Sequence, residues 1–139
     1  MSKLIYMDNA ATTKVDPKVL ETMLPYFSED YYNASSAYRP AGQAANKVDE
    51  ARGLIADFIG ADPGEIYFTA GGSESDNWAI KGVADALKKK GNHIITTQIE
   101  HHAVLHTCEY LEKQGFEVVR ISPDENGKMR CFICKVPKE

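Results

Sequence analysis

The feature that most constrains the fold is an alternation of short apolar runs with longer helical segments between residues 65 and 121. Residues 66–68, 93–97 and 116–121 are rich in the β-branched and aromatic residues that strands favour. The two segments between them have apolar residues at every third or fourth position, which predicts helices. Helical crossovers of this length join parallel strands by right-handed connections. The sequence therefore predicts an α/β fold, with a partial parallel sheet of three strands and flanking helices.

The bend after the first predicted strand has the composition of an anion-binding helix end. Ser73 is a good N-cap, and Asp76 lies three residues further on, as in a capping box. The unpaired N–H groups of such an end suit a phosphate, since Gly71 and Gly72 have no side chain to block its approach. The segment has neither the dinucleotide-binding glycine pattern nor the nucleoside-triphosphate loop. An ordinary capped helix without a ligand stays an alternative, because Glu74 and Asp76 place negative charge beside the proposed anion.

Two further helices are predicted before this bend. Asp16 and Pro17 supply an N-cap and a proline at the first helical position of a short helix. Its apolar stripe consists of Val19, Leu20, Met23, Leu24 and Phe27. Residues 28–42 have no clear period, which predicts an irregular loop. A long helix follows over 43–59, and Gly60 ends it.

Two segments are expected to meet at one edge of the sheet. Ligands of parallel α/β sheets bind beyond the carboxyl ends of the strands. The bend at residues 71–73 and the segment 98–101 both follow predicted strands directly. His101 and the glycine bend are therefore candidates for one site.

Charge and hydropathy exclude two classes of partner. The formal net charge of −4 leaves no basic footprint for nucleic acid, and the lysines at 88–90 fall at a helix end, where cations are favourable. No apolar stretch approaches the roughly 18 residues that cross a bilayer, and residues 1–7 lack the features of a signal peptide. With 139 residues the chain fits one modest domain. We expect a cytoplasmic protein that binds neither nucleic acid nor membrane.

Cysteines and histidines do not predict a metal site. Three cysteines without disulfide-framework spacing fit a reducing compartment, and Cys108 lies on an apolar helix stripe, where it is expected to be core. His102 and His106 are four residues apart, but they lack the glutamate and third ligand of a zinc motif. The pair Cys131 and Cys134 has a half-zinc or redox spacing, and an accidental origin is favoured.

Four motifs stand in order along the chain: Tyr-Met-Asp-Asn-Ala-Ala-Thr-Thr at 6–13, Asn-Ala-Ser-Ser at 33–36, Phe-Thr-Ala-Gly-Gly-Ser-Glu-Ser-Asp-Asn at 68–77 and Glu-His-His-Ala-Val-Leu at 100–105. In combination they resemble the cysteine desulfurases, pyridoxal-phosphate enzymes grouped with the class V aminotransferases. The resemblance extends from about residue 5 to residue 128. It implies the first part of the large domain of a pyridoxal-phosphate transferase.

The resemblance also implies roles for individual residues. Gly72 and Ser73 match the positions that hold the phosphate of pyridoxal 5′-phosphate. His101 matches the histidine that stacks on the pyridine ring and assists proton transfer, so it is the implied catalytic residue. Asn9 and Asn33 match stretches near the active-site entrance, where substrate contact is implied. The implied reaction takes sulfur from L-cysteine and leaves alanine and an enzyme persulfide.

Several family features are absent from this sequence. Ala34 stands where the family usually has proline, and Tyr38 or Arg39 stands near its usual histidine. The contexts of the family's Schiff-base lysine, its pyridinium-binding aspartate and its sulfur-accepting cysteine do not occur, and similarity ends near residue 130. We therefore expect a truncated product, inactive by itself, in which binding of pyridoxal phosphate is weak or absent. The expected parts are an N-terminal segment 1–15, an incomplete large domain 16–129 and a divergent tail 130–139.

The same resemblance implies partners. Members of the family work as homodimers and pass sulfur to acceptor proteins, for iron–sulfur cluster assembly or for tRNA modification. The exposed edges of an incomplete sheet predict partner-dependent association. A non-catalytic interaction module, which pairs with an intact paralogue or with a separately encoded second half, is the alternative function. An unrelated α/β anion-binding protein is a third hypothesis.

Overall fold

The computed structural model describes residues 4–129, and the chain divides between Tyr67 and Phe68 into two compact units. These are called the N-terminal unit, Met1–Tyr67, and the C-terminal unit, Phe68–Glu139. The predicted boundaries after residues 15 and 129 stay predictions, and the predicted tail 130–139 lies outside the described residues.

The N-terminal unit begins with two short helices, α1 (Pro17–Met23) and α2 (Pro25–Ser28). Asp16 caps α1 as predicted, since its carboxylate accepts a hydrogen bond from the backbone N–H of Lys18 at 2.8 Å. The predicted apolar stripe continues into α2, but the two helices are separate. Pro25 lacks the N–H that a continuous helix requires, and it therefore begins a new first turn.

The long helix α3 (Arg39–Ile59) begins four residues before the predicted start, so the loop after α2 is shorter than expected. Pro40 lies in its first turn, where a missing N–H costs nothing. Gly60 ends the helix in the left-handed conformation (φ 70°, ψ 35°), as predicted. A 3-10 turn, Pro63–Glu65, follows.

The C-terminal unit contains the helices α4 (Gly72–Leu87) and α5 (His102–Lys113) and the strands β1 (His93–Thr97) and β2 (Glu117–Ile121). The strands pair in parallel, with His93 opposite Glu117 and Thr97 opposite Ile121. Helix α5 is the crossover between them. The predicted α/β class with a partial parallel sheet and flanking helices is therefore confirmed.

The predicted first strand, at residues 66–68, is wrong. Ile66 is extended (φ −96°, ψ 122°), but among the described residues only β1 and β2 form a sheet. A strand exists only when a neighbouring strand bonds its backbone. The carbonyl oxygen of Ile66 instead accepts a hydrogen bond from the Arg52 guanidinium, so the sheet has two strands where three were expected.

The core of the described residues is small. Its buried apolar members are Ala41, Ala56, Ala103, Cys108, Leu111 and Phe116. The aromatic side chains of Tyr67 and Trp78 are 66% and 55% exposed. Ile95 and Val119 lie opposite each other on one face of the sheet and are 60% and 45% exposed. Apolar surface is therefore exposed on that face, as expected for an incomplete sheet.

No helix in residues 4–129 combines the length and the apolar character that crossing a membrane requires.

Candidate active site

Helix α4 begins earlier than the sequence predicts. Gly71 is the N-cap, and its carbonyl oxygen accepts hydrogen bonds from the N–H groups of Glu74 and Ser75, each at 3.1 Å. Ser73 lies inside the first turn, so the predicted N-cap role of Ser73 and its capping box with Asp76 are wrong. The physical reason is that glycine takes the N-cap conformation without a side-chain bond, which lets the helix start before the serine.

The N–H groups of Gly72 and Ser73 point out of this helix end. Within residues 4–129, neither group donates a hydrogen bond. A Cβ atom added at Gly71 or Gly72 meets nothing within 4 Å, so the space in front of the helix end is open. Unpaired donors at the positive end of a 16-residue helix suit a phosphate group.

Polar side chains hold the loop before this helix end. The hydroxyl oxygens of Thr69 and Ser75 lie 2.6 Å apart, and Thr69 also donates to the carbonyl oxygen of Gly71 at 3.2 Å. Glu74 accepts a hydrogen bond from the backbone N–H of Ala70 at 2.6 Å. The loop therefore closes on the first turn of α4 through its own side chains.

His101 is the N-cap of α5. Its Nδ1 atom accepts a hydrogen bond from the backbone N–H of Ala103 at 3.1 Å. Because Nδ1 is the acceptor, the proton of the neutral ring lies on Nε2. His101 therefore caps the helix, a role that any histidine before a helix can play. The same hydrogen bond fixes the orientation of its ring.

The segment between β1 and α5 is anchored to the sheet. The N–H of Gln98 donates to the carbonyl oxygen of Ile121 at 3.0 Å, and Thr97 donates to Glu100 at 2.7 Å. His101 follows this segment directly, so it lies beyond the carboxyl end of β1, where the sequence places it.

Asn77 connects the two candidate segments. Its side-chain amide donates to the carbonyl oxygen of Ser73 at 2.9 Å and to that of Ala103, in the first turn of α5, at 3.4 Å. The start of α4 and the start of α5 are therefore adjacent in the C-terminal unit. Asn77 is not among the residues selected from the sequence. No sequence signal distinguishes this amide, because its partner on α5 lies 26 residues further along the chain.

The two predicted substrate residues lie in the N-terminal unit. Asn9 lines an open cleft of 570 Å³ together with Tyr6, Thr12, Thr13 and Lys14. Asn33 uses its side-chain oxygen locally, to accept a hydrogen bond from the N–H of Ser35 at 2.9 Å. Their roles as substrate contacts stay predictions.

Histidines outside the site interact with each other. The rings of His102 and His106 are stacked with centroids 5.4 Å apart, and His106 pairs with Glu109 at 3.1 Å. No group of three metal-ligating side chains occurs among the described residues. The pair Cys131 and Cys134 lies outside them.

Cys108 is a buried thiol, as the sequence predicts. It is 1% exposed and belongs to the core around α5. Burial, which disfavours the charged thiolate, raises the pKa of this cysteine above its ordinary value. A thiol in such surroundings is a poor nucleophile.

Comparisons with known proteins cover nearly all of the chain. The sequence model of the aminotransferase class-V family matches residues 5–136. The cysteine desulfurase IscS of Clostridium botulinum is 54% identical over 127 residues, which cover 91% of this chain and 32% of that protein. The cysteine desulfurase IscS of Methanosarcina thermophila is 55% identical over 126 residues, or 91% of this chain and 31% of that protein.

Solved structures of similar proteins also match most of this chain. A structure described as "SspA in complex with cysteine" superposes with a TM-score of 0.76 at 47% identity, covering 85% of this chain and 34% of that one. The chain spans about a third of the length of the curated relatives it matches.

Proposed function

Because the chain belongs to the aminotransferase class-V family, we propose that it supplies part of the cofactor site of a pyridoxal-phosphate-dependent cysteine desulfurase. Its contribution is the phosphate-binding end of α4 and the ring-facing imidazole of His101. The observation that carries the proposal is the amide of Asn77, which bonds Ser73 and Ala103 and so holds the two helix ends together.

The open end of α4 fits the phosphate of the cofactor. The N–H groups of Gly72 and Ser73 would donate to its oxygens, and the hydroxyl of Ser73 would add a third donor. Absence of side chains at Gly71 and Gly72 leaves room for close approach of the phosphate. The positive end of the helix dipole favours the negative charge of the phosphate in this position.

His101 would lie against the cofactor ring. Its Nδ1 accepts a hydrogen bond from the N–H of Ala103, which leaves Nε2 as the atom that would hold or transfer a proton. When bound, pyridoxal phosphate supplies an electron sink for bond cleavage at the amino acid substrate. His101 would orient the ring and move a proton at Nε2.

The proposed substrate of the complete enzyme is L-cysteine, and the products are alanine and an enzyme persulfide. Asn9 and Asn33 are proposed substrate contacts. Cys108 is not the proposed sulfur acceptor, because a buried thiol with a raised pKa is a poor nucleophile. Its free thiol fits a reducing cytoplasm, where we place the protein. The 139 residues by themselves are proposed to hold the cofactor weakly and without a covalent bond.

Nuclear magnetic resonance titration of the chain tests the cofactor site. Two probes separate its parts: inorganic phosphate, and pyridoxine 5′-phosphate, which has the ring but no aldehyde. We expect the amide resonances of Gly72 and Ser73 to shift with both probes. The ring resonances of His101 should shift only with pyridoxine 5′-phosphate. Saturable shifts confined to other residues would contradict the proposal.

A second candidate function, a non-catalytic interaction module, is favoured by the exposed sheet face. Ile95 and Val119 are 60% and 45% exposed on adjacent parallel strands, whose faces are normally covered. A second copy of the chain, or a polypeptide that supplies further strands, is the proposed partner, and the homodimer implied by the resemblance is one form of it.

Sedimentation of the chain tests this second function. We expect concentration-dependent association that the change Ile95→Lys weakens. Phe58→Lys is the control, because Phe58 is equally apolar and 91% exposed but belongs to α3. A wild-type chain that stays monomeric at all concentrations, with and without a partner polypeptide, argues against the module.

A further inference from the structure

We propose that Asn77 is a positioning residue of the cofactor site, which sets the distance between the phosphate-binding end of α4 and the imidazole of His101. The role rests on the proposed function, because it concerns how that site is held together. Asn77 itself need not touch the cofactor.

The orientation of the Asn77 amide group follows from its two hydrogen-bond partners. Both partners of the Asn77 side chain are backbone carbonyl oxygens, those of Ser73 and Ala103, and a carbonyl oxygen only accepts hydrogen bonds. The NH₂ group of the amide must therefore face them. One nitrogen bonds the first turn of each helix at 2.9 Å and 3.4 Å.

The two hydrogen bonds of the Asn77 side chain are together called the bridge. Each end of the bridge leads directly to a candidate cofactor residue. Ser73 is itself a proposed phosphate donor. Ala103 uses its carbonyl oxygen for Asn77 and its N–H for Nδ1 of His101, so one residue receives the bridge and orients the imidazole. Through these bonds Asn77 couples the position of the phosphate to the position of the ring.

The Ala103 end of the bridge is rigid. Ala103 is 9% exposed, and its carbonyl oxygen also accepts a hydrogen bond from the hydroxyl of Thr107 at 2.7 Å. Thr107 is 2% exposed and lies beside the buried Cys108 on α5. Asn77 is half-buried in α4. The bridge thus joins the exposed first turn of α4 to a turn of α5 that packing already holds, and it fixes their mutual register.

The distance between the starts of α4 and α5 matters because the proposed site binds one ligand at two points. The phosphate is held at α4 and the ring at α5, so a shift of one helix end separates the ring from the imidazole while the phosphate stays bound. Removal of Asn77 should therefore affect ring-bearing ligands more than inorganic phosphate.

A double-mutant cycle with His101 tests this role, with affinities for pyridoxine 5′-phosphate measured by calorimetry. In the wild-type chain, His101→Ala should weaken binding about five- to tenfold, the size of one lost stacking contact. In the Asn77→Ala and Asn77→Asp backgrounds the same change should weaken binding by less than about twofold, because the imidazole is already out of place. Asn77→Asp keeps the size of the side chain but places oxygen against two carbonyl oxygens.

The chain offers a matched control in Asn92. Its side-chain amide also donates to a backbone carbonyl oxygen, that of Gly115 at 3.2 Å, but it lies before the amino end of β1. In the Asn92→Ala background the full effect of His101→Ala should persist. An equal effect of His101→Ala in the wild-type, Asn77→Ala and Asn77→Asp chains overturns the positioning role.

A ligand-free measurement separates failure of this role from failure of the proposed function. Residual dipolar couplings report the angle between α4 and α5, which should change in Asn77→Ala and stay constant in Asn92→Ala. If the wild-type chain binds neither probe, or if His101→Ala has no effect on it, the proposed cofactor site is overturned. An unchanged angle in Asn77→Ala overturns the positioning role whatever the ligands do.

Discussion

The carboxylate of Glu74 accepts a hydrogen bond from the backbone N–H of Ala70, with 2.6 Å between Oε2 and the nitrogen. The Glu74 carboxylate, which lies beside the proposed phosphate site, therefore holds the loop before α4 by this hydrogen bond. Its charge still lies within the first turn of α4, where it competes electrostatically with a bound anion.

The change Glu74→Gln should strengthen phosphate binding. The glutamine side chain keeps an oxygen for the N–H of Ala70 and removes the charge, so affinity for inorganic phosphate should rise about two- to fivefold at low salt and less at high salt. Calorimetry at two ionic strengths measures this. Asp85→Asn is the control, because it removes the same charge at the other end of α4 and should leave the affinity unchanged. A weaker or unchanged affinity in Glu74→Gln would argue against an anion at this helix end.

Replacement of Gly72 by proline should remove one phosphate donor without harming the helix. Proline is favoured at the first helical position, and the extended backbone of Gly71 (φ 166°, ψ 176°) is compatible with it. Loss of one N–H bonded to an anion should weaken phosphate binding about tenfold or more. Gly72→Ala keeps the N–H and is the control; equal affinities of the two variants would refute a backbone phosphate site at Gly72.

Alkylation of Cys108 should be slow in the folded chain. Burial raises the pKa of its thiol and blocks access, so iodoacetamide should modify it about tenfold or more slowly than a cysteine introduced at exposed Val119. Mass spectrometry of the peptide that contains residue 108 measures the rate. In denaturant the two rates should converge. Fast modification of Cys108 in the native chain would show that it is accessible.

The ion pair between Glu112 and Arg120 should make stability depend on pH on the acid side. Two parallel contacts of 2.6 Å and 2.9 Å join α5 to β2, and the hydrogen bond from Arg120 lowers the pKa of Glu112 below 4.5. A carboxyl with a depressed pKa in the folded state contributes stability above its ordinary pKa, and this contribution is lost as the pH falls through the folded value.

Urea denaturation of Glu112→Gln at several pH values measures this contribution. The difference in free energy of unfolding between wild type and variant should be largest above pH 4.5 and should shrink toward zero as the pH falls below it. In an Arg120→Met background the same comparison should show little dependence on pH. A difference that grows on acidification has the wrong sign and is incompatible with the assignment.

The local features of the fold could be read from neighbouring residues. The cap at Asp16, the left-handed stop at Gly60 and the bounds of β1 all match the prediction. Each depends on side chains or glycine within a few positions, or on the spacing of apolar residues along one element. The predicted start of α3 is too late, because a proline such as Pro40 usually indicates a loop but is also tolerated in a first helical turn.

The candidate site was only partly predictable. The glycine bend and His101 stand out from composition and from family resemblance, and both stand at helix starts in the structure. The sequence does not predict the role of Asn77, because an amide in a helix carries no signal until its partner on another helix is known. The sequence predicts Ser73 as the cap where the structure has Gly71, since the choice between two neighbouring starts depends on which carbonyl closes the first turn.

The amino-acid sequence by itself determined the family, the α/β class, the parallel arrangement of β1 and β2, the start of α1 and the end of α3. Only the tertiary structure decided that residues 66–68 form no strand, that Asn77 joins the starts of α4 and α5, and that Ile95 and Val119 remain exposed. The physical reason is the range of the interactions. Caps and periodicity act between residues near in sequence, whereas a strand, a bridge or a covered face requires a partner that folding brings from far along the chain.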